Sequence, residues 1–133
     1  DEQVTMMSLW SLFRSPLMFG GEMRDNDEWT LSLLTNEEVL HVHRNGRAPR
    51  LVYREDDRTV WTSHDEDGNV FVALFNLRDE PSEVSVSLSQ LGLDGVNCRV
   101  RDLWSRSDAG TAGSALSRQL PPHASALLKL TAE

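Results

Sequence analysis

The sequence predicts an α+β chain: a helix–strand–helix unit of a βα-repeat domain, followed by an antiparallel β-sandwich. Two observations carry this. Residues 5 to 43 read as helix, short apolar strand and helix, and everything after about Leu51 alternates like β-sheet. A lone parallel strand has no partner to complete its ladder and no helices over both faces. A third observation is size. At 133 residues, 39% apolar and 26% charged, the chain has room for one domain, or for a fragment plus a small one.

The first helix is expected over residues 5 to 14. Met6, Trp10, Phe13 and Leu17 recur at spacings of four, three and four, and Met7, Leu9 and Leu12 widen the band. Thr5 is the expected N-cap, and Pro16 stops the helix by pushing Ser15 out of the α region. Leu17-Met18-Phe19-Gly20-Gly21 reads as a short buried strand whose two glycines permit a sharp turn. Asp25 or Asn26 can cap the next helix, with Trp29, Leu33 and Leu34 as its stripe and Asp27 and Glu28 in the turn where the helix dipole favours negative charge. Asn36 caps a second short helix, and Val39, Leu40 and Val42 are apolar in it. Asn45-Gly46 ends that helix and Arg47-Ala48-Pro49 reads as a hinge. The expected division is therefore 1–46 and 50–133, with the boundary at 44 to 50.

The remainder reads as seven or eight short strands with turn residues between them, the signature of a sandwich. Val70 to Leu77 is nearly all apolar and is expected at the centre of the sheet, with Phe71 or Phe75 in its core. Glu83 to Leu88 alternates strictly, one face in and one face out.

Composition excludes some partners. With 21 acidic and 13 basic side chains the net charge is −8, which argues against nucleic acid and against an anionic membrane surface. No apolar run approaches the roughly 18 residues of a membrane span, and the acidic Asp1-Glu2-Gln3 is unlike a signal peptide. Cys98 is the single cysteine, so no intramolecular disulfide and no cysteine metal site are expected; it reads as a small buried apolar side chain.

Few residues suggest chemistry. His41 and His43 have a spacing that metals use on a strand, but the local pattern is helical and the two rings should diverge. Asp65-Glu66-Asp67-Gly68-Asn69 faintly resembles a calcium loop without the full spacing or the terminal glutamate, and reads as a solvated turn. His123 follows Pro121-Pro122 and ends a loop, and tryptophans 10, 29, 61 and 104 are expected in the core. Glu22 stands apart. It follows the buried strand at its C-terminal end, the face where a βα barrel holds its active site, and is the one candidate for contact with substrate. No metal or cofactor is expected.

The runs MMSLWSLFRSPLMFGGEMR, LLTNEEVL, VFVALFNL, VRDLW and LPPHASALLKL are similar in order and spacing to the C-terminal part of retaining α-galactosidases and α-N-acetylgalactosaminidases, the melibiase-type glycoside hydrolases. The resemblance implies that Thr5–Pro16 is the seventh helix of a TIM (β/α)8 barrel, Leu17–Gly21 its eighth strand, Asp27–Val42 its eighth helix, and Leu51 onward the C-terminal β domain. Two positions depart from the family: His43-Arg44-Asn45 stands where Asn-Gln-Asp is usual, and Glu22 where an aspartate commonly follows the eighth strand. The family's two catalytic aspartates lie on earlier strands, and no residue of this chain matches either motif. The resemblance thus implies a carbohydrate substrate met through a larger parent enzyme. Its apolar helical end would associate with the remaining barrel or with a second copy. A free-standing carbohydrate-binding or structural β-sandwich is the alternative.

Overall fold

The computed structural model describes residues 1–18 and 20–133. Three α-helices precede eight strands: α1 (Glu2–Phe13), α2 (Glu28–Leu34) and α3 (Glu37–Asn45), then β1 (Arg47–Glu55), β2 (Arg58–His64), β3 (Val70–Asn76), β4 (Ser82–Ser87), β5 (Cys98–Asp102), β6 (Ser107–Ala112), β7 (Ala115–Leu120) and β8 (Ser125–Ala132). All strand pairs are antiparallel. Six form one sheet in the order β1-β2-β3-β8-β5-β6, and β4 and β7 form a second.

The sandwich core lies between the sheets. Val60, Val72, Leu74, Val100, Leu128 and Leu130 of the large sheet meet Val84, Val86, Leu116 and Leu120 of the small one. Side chains also tie the sheets together: the Tyr53 hydroxyl donates to the Ser85 carbonyl at 2.6 Å and Arg58 Nη1 to the Glu83 carbonyl at 3.3 Å. β3 is central, paired with β2 and β8, as its apolar run predicts. Its apolarity is nearly continuous because both faces are covered. Val72 and Leu74 face the small sheet, whereas Phe71, Ala73 and Phe75 face a second core made with Leu12 of α1 and Val39 and Val42 of α3.

Several expectations need correction. The helix α1 starts at Glu2 rather than at Thr5, with Asp1 as its first flanking residue; the Thr5 hydroxyl donates instead to the His123 carbonyl at 2.9 Å. The end of α1 is where Pro16 requires it, with Arg14 left-handed at φ 58. The expected strand Leu17–Gly21 is not formed: Leu17, Met18, Gly20 and Gly21 are in no ladder, and Phe19 lies outside the described residues. The reason is the one the sequence itself poses. A strand needs a neighbour to take its backbone hydrogen bonds, and among the described residues no strand pairs with this segment. The expected hinge Arg47-Ala48-Pro49 is the start of a strand: α3 ends at Asn45 and β1 begins at Arg47. Ala48 at φ 48 and Pro49 are accommodated by an irregularity in the register between Arg47 and Arg50 on an edge strand, where a missing N–H costs no ladder bond.

Candidate functional site

Two faces of α1 organise the helical end. The inner face carries Ser8, Ser11 and Leu12, all fully buried against the large sheet. Trp104 Nε1 donates to the Ser8 hydroxyl at 2.8 Å, and Ser8 in turn donates to the Val4 carbonyl. The outer face carries Met6 and Trp10, which are 42% and 41% exposed. Beyond Trp10, described residues between Leu17 and Thr35 border an open cavity of about 550 Å³, lined among others by Met6, Met7, Trp10, Leu17, Met18 and Leu31. Gln3, Asn26, Thr30 and Thr35 supply its polar groups, and no charged side chain is among the described residues that line it.

The sandwich fixes where this cavity sits. Asn36 is 4% exposed and has two roles. Its Oδ1 accepts from the Glu38 and Val39 amides at the start of α3, and its Nδ2 donates to the Leu103 carbonyl at 2.9 Å in the turn after β5. Arg101 of β5 grips Glu38 with both prongs of its guanidinium, at 2.7 and 2.6 Å. That pair holds the Glu38 carboxyl below the ordinary glutamate range, against the opposing effect of partial burial. At the other end, His43 Nε2 lies 2.6 Å from the Ser15 carbonyl, and Arg14 Nε donates to the His43 carbonyl at 3.1 Å. Phe13 packs edge-on to Trp61 with ring centres 4.2 Å apart.

The expected site residues distribute as follows. Glu22 is exposed and caps a short 3-10 turn, Met23–Asp25, by accepting from the Arg24 amide at 3.1 Å. The Arg24 guanidinium also holds both of its oxygens, at 3.0 and 3.2 Å, and these bonds keep its carboxyl below the ordinary range. His41 and His43 diverge on α3: His41 faces Asp65 at 3.7 Å and stacks edge-on to Phe71, whereas His43 turns to Ser15. The loop at 65–69 spends its anchor carboxylate inward. Burial would raise Asp65, but its bonds from the Asn69 and Asp67 amides and from Asn69 Nδ2 outweigh that and hold it below the ordinary range. Gly68 supplies the left-handed residue of that turn at φ 83. Among the described residues no group of three His, Cys, Asp or Glu side chains could hold a metal ion. No described helix is long and apolar enough to cross a membrane.

The tryptophans split. Trp61 and Trp104 pack against the helix-side core as expected. Trp10 and Trp29 are not core: they are 41% and 46% exposed, because the helices that carry them have only one covered face. Cys98 is buried in the sandwich, and burial pushes its thiol up. His123 sits in the turn before β8 with Nε2 2.8 Å from Asp79 Oδ1. Of the seven large apolar side chains left exposed among the described residues, Met6, Trp10, Met18, Trp29 and Leu31 are all on the helical end. The helical spacing of the sequence marks these residues as apolar. It does not mark which side of α1 the sandwich takes, and Asn36's second bond has no local sequence signal.

Residues 55–130 match the family described as the alpha galactosidase C-terminal beta sandwich domain. Curated relatives include alpha-galactosidase 2 of Arabidopsis thaliana, 30% identical over 98% of this chain and 34% of its own length. The alpha-galactosidase of Cyamopsis tetragonoloba is 31% identical over 98% of this chain and 33% of its length. The chain thus spans about a third of the curated relatives it matches. Among solved structures, a GH27 β-L-arabinopyranosidase from Geobacillus stearothermophilus superimposes with a TM-score of 0.95 at 61% identity, over 98% of this chain and 30% of that one. A protein from Bacillus halodurans described as a putative α-N-acetylgalactosaminidase gives 0.96 at 43% identity, over 100% of this chain and 31% of that one.

Proposed function

Because the chain belongs to the family of α-galactosidase C-terminal β-sandwich domains, we propose that it is the C-terminal portion of a retaining glycoside hydrolase. The parent acts on terminal α-linked galactose or N-acetylgalactosamine, or on the β-L-arabinopyranoside that has the galactoside's ring stereochemistry without the hydroxymethyl group. Residues 1–46 supply the closing helices and last strand of a (β/α)8 barrel, and residues 50–133 form the accessory sandwich. The observation that carries this is the two-faced helical end. One face of α1 is covered by the sandwich, and the other presents a mainly apolar cavity with no charged side chain among the described residues that line it.

On this reading the chemistry belongs to two carboxylates about 5 Å apart on other strands, one attacking the anomeric carbon and one protonating the leaving oxygen. This chain brings neither. Its part is positional: it closes the barrel and buries the barrel's helices on the α1 and α2 side. Segment 17–21 becomes the eighth strand only when barrel neighbours supply its hydrogen bonds. Glu22 then stands at the active-site end of that strand and contacts the bound sugar. No metal or cofactor takes part. The apolar helical end associates with the rest of the parent or with a second copy of the chain.

The test is hydrolysis by the full-length parent of nitrophenyl α-D-galactoside, N-acetyl-α-D-galactosaminide and β-L-arabinopyranoside, with the product anomer followed by NMR. Cleavage of at least one with retention is expected. A folded parent that cleaves none, or that inverts, refutes the proposal. Glu22→Gln in that parent should raise KM for the cleaved glycoside; an unchanged KM and kcat would remove Glu22 from the sugar site.

A further inference from the structure

β4 and β7 form a sheet of two strands opposite a sheet of six, so among the described residues β4 has one strand neighbour and one free edge. We propose that Arg50, Tyr53 and Arg58 stand in for a third strand beside β4 and close that edge against strand addition by a second copy of the chain. The device holds whichever glycoside the parent cleaves.

Register identifies the groups on that edge. Val84 lies opposite Arg118 and Val86 opposite Leu116, and one step on the Leu88 amide donates to the Ser114 carbonyl at 2.8 Å. Hydrogen-bonded pairs alternate along an antiparallel ladder. Val84, Val86 and Leu88 therefore turn their backbone groups to β7, and Glu83, Ser85 and Ser87 turn theirs outward. Outward backbone groups are the template on which a new strand adds. Here side chains already hold three of them. The Tyr53 hydroxyl donates to the Ser85 carbonyl at 2.6 Å, Arg58 Nη1 donates to the Glu83 carbonyl at 3.3 Å, and Gln90 Oε1 accepts from the Ser87 amide at 3.0 Å. Arg50 Nη2 extends the row past the strand end, donating to the Gln90 carbonyl at 3.0 Å.

The fold aims these donors. Asp56 and Asp57, at φ 51 and 54, make the two-residue turn between β1 and β2. Asp56 Oδ2 accepts from Arg58 Nη2 at 2.5 Å, which leaves Nη1 for Glu83. Burial pushes the Tyr53 phenol above its ordinary range, so it stays protonated as a donor. The sequence of β4 selects the occupant. Two β4 strands paired antiparallel about Ser85 bring Glu83 of one opposite Ser87 of the other, so no like charges meet across the pair. All three positions lie on the outward hydrogen-bonding side, which makes the edge self-complementary, as a two-fold contact requires.

The experiment compares the full-length parent with its triple variant Arg50→Met, Tyr53→Phe and Arg58→Met. Each substitution keeps the apolar part of the side chain and removes the donor. Sedimentation velocity reads the assembly state, and hydrogen exchange by mass spectrometry reads residues 82–88. The triple variant should double the mass of the unmodified protein as concentration rises, with exchange of the Glu83 and Ser85 amides slowed roughly tenfold or more. Adding Ser85→Pro, whose missing N–H faces outward, should restore the unmodified mass. Tyr53→Phe alone removes one oxygen and should move the same equilibrium in the same direction by less. A triple variant with the unmodified mass and unslowed exchange at 82–88 overturns the proposal. So does association that Ser85→Pro leaves in place. Association accompanied by faster exchange throughout the sandwich also overturns it and assigns the three side chains to stability alone. If the triple variant fails to fold, Tyr53→Phe decides, and a Tyr53→Phe protein with unshifted association overturns the proposal.

Discussion

Asn36 is the sharpest place to test whether the sandwich positions the helical end. Its side chain does two separable things: Oδ1 caps α3, and Nδ2 reaches across 67 residues of sequence to the Leu103 carbonyl. Asn36→Ser keeps an acceptor for the cap and removes the donor. Asn36→Ala removes both. Losing the cap costs about 1 kcal/mol. Leaving the buried Leu103 carbonyl without its donor costs about 1–3 kcal/mol. The Ser variant should therefore lose about 1–3 kcal/mol and the Ala variant about 2–4 kcal/mol. At this chain length each kcal/mol moves Tm by roughly 3–5 °C, so the Ala variant should melt roughly 6–20 °C lower. Urea unfolding followed by tryptophan fluorescence gives the free energies. Hydrogen exchange at the Glu38 and Val39 amides separates the two roles, since these protons should lose protection in the Ala variant more than in the Ser variant. If both variants unfold within about half a kcal/mol of the parent, the bond to Leu103 does not fix α3 and the reasoning fails.

Phe71→Ala and Phe75→Ala each empty a site under α1 and α3 and should cost about 3–5 kcal/mol by urea titration; a loss under 1 kcal/mol at both would contradict the second core. The Glu38–Arg101 pair sets a pH dependence. The Glu38 carboxyl lies below its ordinary value of 4.5, so its stabilisation is complete above that pH and is lost as pH falls through the depressed folded value. The gap in urea midpoint between parent and Glu38→Gln should accordingly be widest near neutrality and close in acid, and a gap independent of pH would exclude the pair as its source. The isolated chain should show no turnover of a chromogenic α-galactoside, since no residue of it matches either catalytic aspartate motif of the family it resembles; turnover above buffer that Glu22→Gln abolishes would overturn this.

The sequence by itself determined most local structure, because local structure follows from periodicity and a few special residues. Strict alternation at Glu83–Leu88 and the apolar run at Val70–Leu77 specified strands wherever they were to be packed. Pro16 ended α1, Asn36 began α3, and the turn at 65–69 followed from residues that bond their own backbone. Tertiary structure decided the rest. Segment 17–21 has the composition of a buried strand, but a strand is a relation between neighbouring backbones, and none of its described residues is paired in a ladder. Pro49 suggested a hinge, yet an edge position leaves its missing N–H without consequence and β1 runs through it. The apolar band of α1 covers more than one side, and only packing against Phe71, Phe75 and Leu127 determined that Leu12 went inward while Met6 and Trp10 stayed out. Periodicity records that a side chain should leave water. Which surface receives it depends on residues distant in the chain, and for Met6 and Trp10 the described residues provide only partial cover.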